Sequence, residues 1–163
     1  MKTKTALLAV LAFTALLHAG TVQPGTRPAP RIEVCFVLDT TGSMGGLIQG
    51  AKDKIWSIVQ EMKDANPVPE LKIGLIGYRD RGDEYVTRVY EMTDDLDALY
   101  GELLQYQANG GGDTPESVNQ ALGESLDKMA WSKEKSVYRV VFLVGDAPPQ
   151  TKYDEPQVPE LCA

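Results

Sequence analysis

Two apolar runs in this chain each end on an aspartate. Val34-Cys35-Phe36-Val37-Leu38 stops at Asp39 and leads into Thr40, Thr41, Gly42, Ser43 and Met44, and Val140-Val141-Phe142-Leu143-Val144 stops at Gly145-Asp146. Carboxylates and hydroxyls are hard oxygen donors, the set that Mg²⁺ prefers. A turn after the first run can aim Asp39, Thr41 and Ser43 at one centre while Thr40 and Gly42 face elsewhere. Gly42 gives that turn its latitude. Mg²⁺ retains several waters, so a few protein oxygens suffice and an exchangeable position remains. The competing role for Asp39 and Asp146 is plain capping of the helices after them.

Elements of a definite kind must position these groups. The run from Ile32 to Leu38 reads as a central strand, nearly continuous in apolar, β-branched and aromatic residues. Ile48, Ala51, Ile55, Ile58 or Val59, and Met62 recur at helical spacing until Asn66-Pro67 and Pro69 end the pattern. Leu71 to Tyr78 fits a second strand, a charged loop spans Arg79 to Glu84, and Val86 to Tyr90 reads as a short strand with edge character. Thr93 or Asp94 is expected to cap a second helix carried by Leu96, Leu99 or Tyr100, and Leu103. After the glycine-rich Asn109 to Asp113, Thr114 at N-cap and Pro115 at N1 are expected to open a third helix through Val118, Leu122, Leu126 and Met129. Val137 to Val144 is the final clear strand. Strands alternating with helices predict an α/β fold with right-handed crossovers and a sheet covered on both faces. Ligands of such sheets sit outside the carboxyl ends of the strands, where three loops meet: Asp39–Ser43, Gly110–Glu116, and the one holding Asp146.

The chain has 163 residues, a prior for one domain. Lys2, Lys4 and the apolar stretch Ala6 to Leu17 predict a secretory signal over residues 1–19, too short to span a bilayer. Residues 20–31, with Pro24, Gly25, Pro28 and Pro30, read as an extended tether, which leaves 32–163 as the folded body. The expected location is therefore secreted, periplasmic or on the cell envelope. A net charge of −7 argues against nucleic-acid or anionic-membrane binding, and nothing downstream of the signal reaches transmembrane length. Cys35 lies inside the first strand and reads as a small buried hydrophobe; a Cys35–Cys162 bridge is the alternative.

With these residues in view, Val34 to Met44 resembles the first metal-binding loop of von Willebrand factor type A domains, whose motif is Asp-x-Ser/Thr-x-Ser. Gly110-Gly111-Gly112-Asp113-Thr114-Pro115-Glu116 and Phe142 to Asp146 fall where the second and third loops of that family belong. The resemblance implies a Rossmann-like, doubly wound, mostly parallel sheet with helices on both faces and a short antiparallel edge strand. It implies a metal-ion-dependent adhesion site, occupied by Mg²⁺ or else Mn²⁺ or Ca²⁺. It also implies a protein partner whose acidic side chain completes the metal's coordination, and no enzymatic activity. Carried over residue by residue, Asp39, Thr41 and Ser43 are first-loop ligands and Asp146 is the third-loop acid. In the second loop many members place a threonine, whereas Asp113-Thr114-Pro115-Glu116 resembles the integrin β version with a glutamate ligand. Glu116 is favoured, with Thr114 the competitor. Family members continue past the third loop with further strands, so the reading expects a domain whose last strands are missing from this sequence.

Other chemistries fit less well. An aspartate-ended strand also resembles haloacid-dehalogenase-like phosphatases, with Asp39 as nucleophile. The acid/base position two residues later is Thr41, however, and Asp154 lies too far from Asp146 for that family's spacing. His18 is the chain's one histidine and falls in the signal, so no Ser–His or Cys–His pair is available. Zinc lacks its nitrogen and paired sulfur ligands. Arg81-Gly82-Asp83 spells an adhesion tripeptide but is expected to be an ordinary solvated loop. A structural scaffold in a larger envelope protein would use the same metal residues.

Overall fold

Strand β1, Arg31–Asp39, sorts its side chains alternately onto two faces. Val34, Phe36 and Leu38 join one core cluster, while Cys35 and Val37 join the other. That is the period of two that a pleated strand imposes. With both faces buried, polar residues have no place along it, which explains the unbroken apolar run. The computed structural model describes residues 28–112 and 114–162; the expected signal, most of the tether and Asp113 lie outside them.

Three further strands, β2 (Glu70–Tyr78), β3 (Thr87–Thr93) and β4 (Val137–Val144), complete a sheet of order β3-β2-β1-β4. β1 is parallel to β2 and to β4, and β3 runs antiparallel along the outer side of β2. Helices α1 (Ile48–Lys63) and α2 (Leu96–Gln105) cover one face with Ile55, Val59, Leu99 and Leu103. Helix α3 (Val118–Asp127) covers the other with Val118, Ala121 and Leu122, joined by a single turn, α4 (Val158–Leu161). This is the doubly wound, mostly parallel α/β architecture with an antiparallel edge strand. Among the described residues no strand pairs with the outer edge of β4, where Tyr138, Val140 and Leu143 are exposed.

Local details depart from expectation for physical reasons. β1 opens at Arg31, inside the expected tether, because Arg31 pairs with Glu70 and Val137. β3 runs to Thr93, which keeps Thr93 out of the capping position. Asp95 caps α2 instead, its Oδ1 accepting from the Ala98 amide at 3.0 Å, and the Thr93 hydroxyl accepts from the Asp95 amide. Thr114 does not cap α3 either, since the helix begins at Val118 with Ser117 as N-cap. Between them Glu116 bridges to Pro149: its amide donates to the Pro148 carbonyl at 3.0 Å and its carbonyl accepts from the Gln150 amide at 2.8 Å. A backbone bonded on both sides to a neighbouring segment is extended and cannot be the first turn of a helix. The Cys35–Cys162 bridge does not form; both thiols are free, Cys35 buried in the core and Cys162 exposed.

Candidate metal centre

Strand register brings the two aspartates together. Leu38 pairs with Val144, so Asp39 emerges beside Gly145 and one residue from Asp146. On its other side Asp39 pairs with Tyr78. The chain leaves β1 through α1 for β2 on one side and returns from β3 through α2 and α3 to β4 on the other, which makes the carboxyl end of β1 the switch point of the sheet.

A chain of short hydrogen bonds runs through the expected ligands. The Thr41 amide and hydroxyl both donate to Asp39 Oδ1, at 2.9 and 2.6 Å. The Thr41 and Ser43 hydroxyls lie 3.1 Å apart, and Ser43 Oγ donates to Asp146 Oδ1 at 2.8 Å. Asp39 and Thr41 are wholly buried, whereas Ser43 and Asp146 are exposed, so the chain leads from the interior to the surface. Asp39 is not a helix cap: α1 starts at Ile48 behind Leu47, beyond a 3-10 turn over Gly42–Gly46.

The buried end of this chain carries an unmet demand. Asp39 Oδ2 is buried and has no hydrogen-bond partner of acceptable geometry. Burial raises the Asp39 carboxyl above its usual range; the two bonds from Thr41 oppose that, the Asp146 charge adds to it, and the nearby Tyr78 hydroxyl favours the carboxylate. Tyr78, itself buried, is held protonated by burial and by the neighbouring Asp39, Glu116 and Asp146 charges. A divalent cation held there would offset these like charges. Among the described residues no three His, Cys, Asp or Glu side chains gather as a cluster able to hold a metal, so hydroxyls must supply part of any coordination here. Thr41 and Ser43 fit that requirement.

The second loop closes over the first. The Gly42 amide donates to the Gly110 carbonyl at 2.9 Å and the Asn109 amide to the Thr40 carbonyl at 3.0 Å. Gly110 and Gly111 both have positive φ, +72° and +70°. At Gly111 a Cβ atom would stand 2.8 Å from Glu116 Oε1 and 2.8 Å from Thr41 Cβ, so only glycine allows this approach. Glu116 is buried and its carboxylate flanks Thr41, while Thr114 is exposed. The structure thus links Asp39, Thr41, Ser43 and Asp146 by hydrogen bonds, sets the buried Glu116 across Gly111 from Thr41, and leaves Thr114 at the surface.

Sequence reasoning missed the support beneath these loops. The segment Arg79 to Glu84 is solvated at Arg81, Gly82 and Glu84, as expected, but Arg79 and Asp80 at its start are buried. Arg79 donates to the Thr40 and Gln107 carbonyls and stacks on Tyr85, whose hydroxyl meets Thr40 Oγ1 at 2.7 Å. Asp80 accepts from Ser117 Oγ at 2.6 Å and from Gln150 Nε2 at 3.2 Å. Arg81 pairs with Glu155 at 3.0 Å and lies over the Tyr153 ring, and Asp83 accepts from the Gly111 and Asp80 amides. Arg81 and Asp83 of the tripeptide are therefore engaged internally. A usable signal exists in the sequence: the second strand reads as ending at Tyr78, and parallel strands deliver their succeeding residues to the same sheet edge.

The whole of 33–163 matches the family of the von Willebrand factor A domain, and the chain belongs to that family. It is 35% identical over 130 residues to von Willebrand factor A domain-containing protein 7 of Rattus norvegicus, covering 76% of this chain and 14% of that protein. It is 31% identical over 121 residues to a protein of Acanthamoeba polyphaga mimivirus described as ariadne-like with a RING finger, covering 74% of this chain and 11% of that one. The chain thus spans about a ninth to a seventh of the length of these relatives. In fold it is similar to proximal thread matrix protein 1 of the mussel byssus, solved with a zinc-occupied MIDAS motif (TM-score 0.55, 16% identity, 71% of this chain and 28% of that one). It is also similar to the pilus adhesin SpaC of Lactobacillus rhamnosus GG (TM-score 0.57, 15% identity, 76% and 15%).

Proposed function

We propose that this chain is a divalent-cation-dependent protein-binding module, with Asp39, Thr41, Ser43, Glu116 and Asp146 holding the ion directly or through water. The observation that carries the reading is the buried Asp39 Oδ2, without a well-formed hydrogen bond at the inner end of a carboxylate–hydroxyl chain that reaches the surface at Ser43 and Asp146. The oxygen-only donor set suits Mg²⁺ first, then Mn²⁺ or Ca²⁺. When bound, the ion would supply a Lewis-acid position that accepts a carboxylate oxygen from a partner protein. Thr41 and Ser43 contribute no charge, which keeps the ion's attraction for such an acid. Glu116 weakens it by adding a negative charge, and thereby tunes affinity.

Binding rather than catalysis is the better account of these residues. Thr41 stands where a phosphatase of the aspartate type would need its acid/base group, and its hydroxyl is donated to Asp39. Cys35 is no nucleophile: burial, with a smaller push from Glu91, drives its thiol up to about 12. Residues 1–19 as a signal place the module outside the cytoplasm in this proposal. No helix among the described residues is long and apolar enough to cross a membrane. Titration calorimetry with Mg²⁺, Mn²⁺, Ca²⁺ and Zn²⁺, repeated on Asp39→Ala, tests the centre. Binding of Mg²⁺ or Mn²⁺ that Asp39→Ala abolishes supports it; heat unchanged by that substitution, or none at all, sinks it.

A further inference from the structure

We infer that Asp83 is a positioning residue for the metal centre: its carboxylate fixes Gly111 against Thr41 and Glu116. The inference rests on the metal-binding reading of that centre. Asn109-Gly110-Gly111-Gly112 has almost no conformational preference of its own, so bonds to its surroundings must decide where it lies. Two of those bonds tie it to the first loop, through the Gly42 amide and the Thr40 carbonyl. The third comes from elsewhere in the chain. The Gly111 amide donates to both oxygens of Asp83, at 3.0 and 2.9 Å, and Asp83 Oδ2 also accepts from the Asp80 amide at 3.1 Å. A bond to a charged acceptor is roughly twice as strong as a neutral one, which gives Asp83 the dominant hold on the loop.

The consequence falls on the centre itself. The face of Gly111 that a side chain would occupy is filled by Glu116 Oε1 and by Thr41. Any drift of Gly111 therefore loosens the packing of the expected second-loop ligand and of the Thr41 side chain together. Asp83 is not a candidate ligand, because its oxygens are already engaged with backbone amides. Its role is to act through Gly111, in the way outer residues orient the groups that touch a metal.

The test uses the full chain with Asp83→Ala and Asp83→Asn. Asparagine keeps one acceptor oxygen for Gly111 and so should rescue part of the loss. For Asp83→Ala the Mn²⁺ dissociation constant should rise about ten- to a hundredfold, the range found when such supporting residues are removed. The Mn²⁺ electron paramagnetic resonance line shape should change, and the Gly111 amide should exchange faster with solvent in the metal-free protein. Asp83→Asn should fall between wild type and Asp83→Ala on all three readouts. A folded Asp83→Ala with unchanged Mn²⁺ affinity and line shape overturns the inference alone, provided wild type binds Mn²⁺. If the alanine variant does not fold, Asp83→Asn decides: wild-type affinity with wild-type Gly111 exchange overturns it. A wild-type chain that binds no Mn²⁺, with Gly111 exchange still slowed by Asp83, overturns the metal reading and this inference with it.

Discussion

At the scale of single residues, the Asp39 carboxylate is wholly buried; Thr41 bonds its Oδ1 twice, while Oδ2 has only the poorly aligned Tyr78 hydroxyl nearby. Burial raises its pKa, so its charge at neutral pH costs the metal-free fold something that a cation would return. Asp39→Asn should leave the metal-free protein at least as stable as wild type, while Mg²⁺ no longer raises its melting temperature. Thermal denaturation with and without the ion reads both effects. Glu116 and Thr114 separate along the same line. Glu116→Gln should weaken metal affinity in calorimetry, because a buried carboxylate facing the first loop loses its charge. Thr114→Ala should change stability by less than about 0.5 kcal/mol, since the residue is exposed and caps nothing.

At the scale of elements, β3 is fastened to α3 by one carboxylate. Glu124 accepts from Thr87 Oγ1 at 2.6 Å, from Gln120 Nε2 at 3.1 Å and from Lys128 Nζ at 2.9 Å. Partial burial alone would raise this carboxyl, but the three donors outweigh it and hold its pKa below the ordinary glutamate value. Linkage gives the sign: a depressed folded pKa stabilises above the unfolded pKa, and that stability is lost as pH falls through the folded pKa. Wild type should therefore lose stability on acidification below about pH 4.3, the unperturbed glutamate value. Glu124→Gln should lose less over the same window. Urea midpoints from pH 6 down to pH 3 compare them, and parallel curves would refute the assignment.

At the scale of the whole molecule, a buried polar network joins the segment after β4 to the rest. Gln150 donates to Asp80 and to the Pro115 carbonyl, and its own carbonyl accepts from Asn119, whose Oδ1 accepts from the Val158 amide. These bonds hold together the end of β2, the start of α3 and the start of α4. Gln150→Ala strands the Pro115 carbonyl and one side of Asp80, and each buried group left unsatisfied costs about 1–3 kcal/mol. A fall of that size in the unfolding free energy, measured by denaturant, is the expected outcome. Because Pro115 precedes Glu116, the same variant should also weaken Mg²⁺ binding in calorimetry.

The strands and the oxygen-rich loop after β1 were legible because their signals are local. A strand buried on both faces must be apolar throughout, and a turn that gathers oxygens must carry them at alternate positions, so Ile32–Leu38, Asp39, Thr41 and Ser43 stand out without coordinates. Asp146 was legible for the same reason, as the residue just past another such strand. The start of α3 was not. Thr114-Pro115 is a sound helix opening in isolation, yet the pairing of Glu116 with Pro149 extends that segment, and no local pattern reports a partner more than thirty residues away. The charged run Arg79 to Glu84 likewise reads as solvated, because charge normally signals water. It is solvated at Arg81, Gly82 and Glu84, but the burial of Asp80 and the internal bonds of Arg81 and Asp83 depend on Ser117, Gln150, Gly111 and Glu155 arriving from distant parts of the chain. By itself the sequence determined which oxygen-bearing groups follow the strands and which strands would present them. Only the tertiary structure decided that Glu116 rather than Thr114 is buried, and that Asp83 accepts from the Gly111 amide, because both outcomes depend on long-range hydrogen bonds that only the packed chain can make.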